Sequence, residues 1–251
     1  MTELQAFLLF LQAKIMPPSD PGSIVQILLR WIHILAGITW IGLLYFFNLV
    51  NVNFMKKLDG PTKGKVIPAL MPSALWWFRW GALVTVLAGV IYWMIILGTE
   101  PVDAPGSMTM QTSGIWAGLV LVAFAIEFFL IRTLSKNGLV LGVLIAILVV
   151  LMAWVILETI TYEDASNRAL SIAIGGGIGV IMLLNVWGII WPAQKRIIAW
   201  TAANAADGTA IPAESATLAR RAFLASRANT WLSVPMLFFM AAASHYPLFG
   251  G

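Results

Sequence analysis

Cysteine is absent from this 251-residue chain. That excludes disulfides, thiolate metal sites, covalently attached c-type haem and a cysteine nucleophile. Histidine is nearly absent as well, with His33 and His245 the two present, so there are few ways to build a metal or redox centre. Charge is scarce: Asp, Glu, Lys and Arg make up 10% of the chain, against about 25% in an ordinary soluble domain. No Walker loop, no strand-linked GxGxxG and no carboxylate–histidine cluster at metal-ligand spacing can be found. No basic patch with interleaved aromatics is present, which argues against a nucleic-acid partner.

What remains is apolar. Hydrophobic residues make up 60% of the chain, and there are 12 tryptophans, the ring type that settles at membrane–water interfaces. Crossing a hydrocarbon core takes about 20 apolar residues. Six runs qualify, at about 24–50, 74–98, 113–134, 138–160, 169–192 and 218–243. Each must be a helix, because lipid offers nothing to unpaired backbone groups. Residues 3–16 (ELQAFLLFLQAKIM) are too short for a span and lack the basic leader of a signal peptide. They read as an interfacial helix ended by Pro17 and Pro18. The expected architecture is an all-α integral membrane protein, one domain over residues 1–251: a bundle of about six transmembrane helices plus a short N-terminal interfacial helix.

The loops alternate in charge. Lys56, Lys57, Lys63 and Lys65 follow the first run, Arg132 and Lys136 the third, and Lys195, Arg196, Arg220, Arg221 and Arg227 the fifth. The other two loops carry Glu100 and Asp103, then Glu158, Glu163 and Asp164. Basic loops stay cytoplasmic, so both termini are expected outside, in the periplasm if the membrane is a bacterial inner membrane. Residues 201–217 read as a polar cytoplasmic loop.

An ionisable side chain within a span is costly and marks a candidate site. His33 shares a helical face with Gly37 and Trp40, with Arg30 one turn earlier. A ligand to iron, a gap, an aromatic wall and a cation for propionates are what a b-type haem needs. His33 lies nine residues after Ile24, about 13 Å along the helix, in the outer half of the membrane. The alternative is a histidine hydrogen-bonded to a neighbouring helix, with Trp40 as ordinary packing. His245, nearer the surface, is a candidate second ligand to the same iron. That arrangement needs the ring nitrogens within about 4 Å of each other. A five-coordinate haem on His33 alone, a methionine as second ligand, or an interfacial His245 in a C-terminal turn are the alternatives. Glu127 is expected to pair with Arg79 or Arg227, or else to handle protons. Asn185 is expected to bond across to another helix. Gly114 with Gly118 and Gly175 with Gly179 have helix-packing spacing, or clear room for a flat cofactor. Pro235 is expected to kink the last span.

Four stretches, WIHILAGITWIG at 31–42, LWWFRW at 75–80, NVWGIIWPAQ at 185–194 and SRANTWLSVPMLFF with SHYP across 226–247, together resemble the membrane domain of bacterial membrane-bound urate oxidases. The first also resembles the haem-binding first span of the membrane protoporphyrinogen oxidases. The resemblance implies the helical fold, an outward C-terminus, and matches at His33, Trp40, Gly42, Phe78, Trp80, Asn185, Pro192, Gln194, Asn229, Pro235 and His245. It breaks where the family carries further histidines: Trp76, Ala173 and Ala228 stand there instead. Urate oxidation needs acid–base groups beside the substrate, and those are what is missing. The expectation is therefore a membrane redox protein. It binds haem b through His33 and passes electrons to an outer-face partner such as a cytochrome c. The competing reading is a non-catalytic subunit of a larger membrane complex.

Overall fold

Asp20 starts the first long helix. Its carboxylate accepts from the Ser23 amide at 2.7 Å, Pro21 pre-sets the first helical turn, and the Ser23 bonds hold the Asp20 carboxyl below its ordinary range. In this computed structural model, which describes residues 2–5, 7, 8, 18–99, 105–160 and 165–249 (side chains of 105–109 excepted), every regular element among the described residues is helical. They are α1 (Pro21–Tyr45), a π segment (Phe46–Asn51), α2 (Val52–Lys56), α3 (Gly60–Thr99), α4 (Pro105–Thr133), α5 (Gly138–Ile160), α6 (Asn167–Asn185), a second π segment (Val186–Ile190), α7 (Trp191–Asp207) and α8 (Glu214–His245). Asp59 and Ser166 cap α3 and α6 through the amides of Thr62 and Ala169. Gly208 closes α7 in the left-handed conformation, φ 78°, which glycine adopts without strain.

Five helical stretches are long and apolar enough to cross a membrane: Pro21–Lys56, Gly60–Thr99, Met110–Thr133, Gly138–Ile160 and Asn167–Asp207. The chain is a multi-pass membrane protein. Its outer surface agrees, with Leu139 80%, Val150 68% and Trp31 64% exposed; apolar surface this extensive belongs against lipid. Residues 214–245 form α8, which has the length for a span but includes Arg220, Arg221 and Arg227.

The helices overrun the expected boundaries. The second begins at Gly60 and not near residue 74, passing through Pro68 and Pro72. The fifth continues through a π segment to Asp207, so much of the expected 201–217 loop is helix. The expected interfacial helix at 3–16 lies mostly outside the described residues, as do Glu100, Asp103, Glu163 and Asp164.

The most extensive pairings are α1 along α3 and α6 along α8. A glycine stands at each crossing. A Cβ on Gly81 would lie in ordinary contact, 3.4 Å from the Ala36 carbonyl of α1, whereas one on Gly175 would lie only 3.0 Å from Phe239 Cβ of α8. Gly175 is thus a packing glycine. Gly114 and Gly118 have nothing within 4 Å among the described residues. Two buried indoles tie the start of α6 to α3 and α4. Trp93 Nε1 donates to the Ala169 carbonyl at 3.0 Å and Trp116 Nε1 to the Ala173 carbonyl at 2.8 Å, with the rings 4.8 Å apart. Asn167 holds the chain after α8, donating to the Ala242 and Tyr246 carbonyls and accepting from the Leu248 and Phe249 amides.

Candidate functional site: an intramembrane cavity beside His33

Helical spacing puts Arg30, His33, Gly37 and Trp40 on one face of α1, and the fold turns that face onto a cavity of about 420 Å³. Such a volume lies within the range of small-molecule and cofactor sites. The opposite walls are Thr85, Gly89, Tyr92 and Trp93 of α3, Trp116 of α4, Gly176 and Gly179 of α6, and Met236 and Met240 of α8. Apart from Arg30, His33, Thr85, Tyr92 and Ser244, the lining is apolar, tryptophan or glycine.

His33 is fixed by α3. Its Nδ1 lies 2.8 Å from the Thr85 carbonyl oxygen. A carbonyl only accepts, so Nδ1 carries the hydrogen, and in the neutral ring Nε2 keeps its lone pair. Nε2 has no hydrogen-bond partner among the described residues. Metal-ligating histidines are held this way, one ring nitrogen donating to a backbone carbonyl and the other left for the metal. The ring fits because residue 89 is glycine: a Cβ there would lie 2.9 Å from both Cε1 and Nδ1 of His33. Thr85 turns its hydroxyl back to the Gly81 carbonyl at 2.7 Å, so the side chain does not compete.

Trp40 is 1% exposed, and its Nε1–H has no acceptor among the described residues. A buried donor without a partner costs about 1–3 kcal/mol, a cost that an acceptor on a bound molecule would relieve. Arg30 is exposed at the cavity's edge, its guanidinium 5.9 Å from the centre of the Tyr92 ring, within cation–π range.

His245 does not join this group. It is exposed, bonds its own helix through the Ala241 carbonyl at 3.0 Å, and is not part of the cavity wall. Glu127 does not make the expected ion pair among the described residues. Glu127 accepts from Asn185, while Arg79 stacks 3.7 Å over Trp191 and Arg227 lies 5.4 Å over Phe223. Asn185 does bond across helices, to Glu127 and Asn229. Among the described residues no group of three or more His, Cys, Asp or Glu could hold a metal ion. Sequence reasoning missed Thr85, Gly89 and Gly176. Each matters only through the register of one helix against another, which no local motif records.

A protein-family model described as Urate oxidase N-terminal matches residues 59–251. The match covers α3 through α8, and α1 with its His33 face lies before it. No curated protein and no solved structure matches the chain.

Proposed function

The chain belongs to the urate oxidase N-terminal family, and from that premise we propose a membrane redox protein that binds haem b through His33 and passes electrons to an outer-face partner. The observation that carries this reading is the His33 ring, held through Nδ1 at 2.8 Å by the Thr85 carbonyl with Nε2 unpartnered beside the cavity. Nε2 would be the protein ligand, Gly89 would leave room for its imidazole, and Gly37, Gly176 and Gly179 would leave room for a flat ring. Arg30 would neutralise carboxylates at the cavity edge, and the Trp40 N–H would meet an acceptor. Haem supplies one-electron chemistry when bound. The titratable residues lining the cavity are Arg30, His33 and Tyr92. With His33 on iron, no general base remains for urate, so electron transfer is the activity proposed. Five helices and α8 make six spans in this reading, with the lysine- and arginine-rich end cytoplasmic in a bacterial inner membrane. A cytochrome c or another subunit of a membrane complex would then meet the outer end.

Protein purified from membranes should show a b-type band in its reduced-minus-oxidised visible spectrum; a spectrum without one removes the proposal. Gly89→Ala should lower haem affinity by about 10–100-fold, the cost usual for disturbing a ligand's supporting partner, because its Cβ would push the ring off the Thr85 carbonyl. Haem titration of the apoprotein measures this. The exposed, unpartnered Gly114 and Gly118 favour a second reading, a non-catalytic subunit of a larger complex. A haem-free protein that co-purifies with fixed partners would select it.

A further inference from the structure

Below the cavity three polar side chains from three helices meet in the core. Glu127 of α4 is 1% exposed, and Asn185 of α6 and Asn229 of α8 are 0% exposed. Asn185 Nδ2 donates to Glu127 Oε1 at 3.0 Å and to Asn229 Oδ1 at 2.9 Å, and Asn229 Nδ2 donates to the Met182 carbonyl at 2.9 Å. Both hydrogens of Asn185 are used. Two oxygens of this network have no donor among the described residues, Glu127 Oε2 and Asn185 Oδ1. They belong to the two groups already joined by the Asn185–Glu127 bond.

Buried acceptors without donors are rare, and one hydrogen shared between the two would satisfy both. A carboxylic acid and a primary amide close a ring of two hydrogen bonds: amide N–H to carbonyl oxygen, and acid O–H to amide oxygen. The first is present at 3.0 Å. The second requires a proton on Oε2. No cation stands in for it. Among the described residues the ion pair is Arg196 with Glu214. On α3, Arg79 lies over Trp191. On α8, Arg227 lies over Phe223, and Arg221 lines a separate cleft. On α4 itself Arg132 lies over Phe128 and lines that same cleft.

That cleft, about 140 Å³, is built from the same three-helix set: Phe128, Ile131 and Arg132 after Glu127, Gly188, Ile189 and Pro192 after Asn185, and Leu218 and Arg221 before Asn229. Its lining runs from about 1.5 Å (Phe128) to about 16 Å (Leu218) along the helices from the network, toward the basic end. The His33 cavity lies roughly 9–16 Å the other way, reached by Trp116, Gly179 and Met236. We propose that Glu127 is an intramembrane proton-binding site, holding an exchangeable proton on Oε2 against Asn185 Oδ1 and trading it with water through the arginine-lined cleft. On release the proton passes to water. The carboxylate left behind keeps the Asn185 N–H bond, and no electrons move. The site stands independently of haem.

The test is infrared spectroscopy of the protein in lipid nanodiscs at neutral pH. Wild type should show a protonated-carboxyl C=O stretch that shifts in deuterated buffer. It should be lost in Glu127→Gln and displaced in Glu127→Asp. Glu127→Gln should also melt at the wild-type temperature, since its amide N–H replaces the acid O–H, whereas Glu127→Leu should melt lower. No such band in wild type, a band indifferent to residue 127, a band that never shifts on deuteration, or a Gln variant melting with the Leu variant would each overturn the proposal. If Glu127→Gln fails to fold, the wild-type deuterium shift and the Glu127→Asp displacement still decide.

Discussion

His33→Ala is expected to leave a folded, helical protein that no longer holds haem. The side chain is only half-buried, and its one hydrogen bond goes to a helix carbonyl of α3. Losing such a bond costs about 1 kcal/mol, well short of the several kcal/mol that keep a domain folded. The cofactor stands differently. His33 is the only histidine on the cavity wall, and with no cysteine in the chain no thiolate can replace it. His245→Ala, at an exposed position off the wall, should keep its haem. Pigment content per protein, measured beside circular dichroism, separates the two variants. Equal haem in wild type and His33→Ala would contradict the assignment.

Trp93→Ala should be the most damaging single substitution in the core. Trp93 is 1% exposed, packs 4.8 Å from the Trp116 ring and bonds the Ala169 carbonyl. Truncating a buried tryptophan costs about 3–5 kcal/mol in water-soluble proteins. In a bilayer the transfer part shrinks, because lipid is as apolar as the core, so about 3 kcal/mol is expected, mainly from the cavity and the lost bond. Trp93→Phe keeps most of the packing and should lose about 1 kcal/mol. Unfolding in mixed detergent micelles measures both; equal losses would mean that the hydrogen bond, and not packing, dominates.

The His33 face is legible in the sequence because a helix repeats every 3.6 residues. Arg30, His33, Gly37 and Trp40 fall on one side whatever the neighbours do. What completes the site is not legible there. Thr85 and Gly89 meet His33 through the register of α3 against α1, which pack together along their length. Gly176 and Gly175 are adjacent in the chain, yet one lines the cavity and the other packs on α8. The start of α3 reads as a loop because its lysines and prolines look like one, although Pro68 and Pro72 sit within the helix. The two π segments have no sequence signature of their own. The partner of Glu127 differs from the expected arginine for an energetic reason. The two arginines expected there, Arg79 and Arg227, lie over tryptophan and phenylalanine faces, and the carboxyl accepts from the Asn185 amide.

The central claim is that His33 Nε2 is the bond between protein and cofactor. The direct measurement is chemical rescue. His33→Gly, reconstituted with haem, is scanned as reduced-minus-oxidised spectra with and without free imidazole. If the account holds, the variant has no b-type band alone and regains one with imidazole, which occupies the vacated space against the Thr85 carbonyl. A His33→Gly protein with a full band before imidazole is added would show that another residue holds the iron.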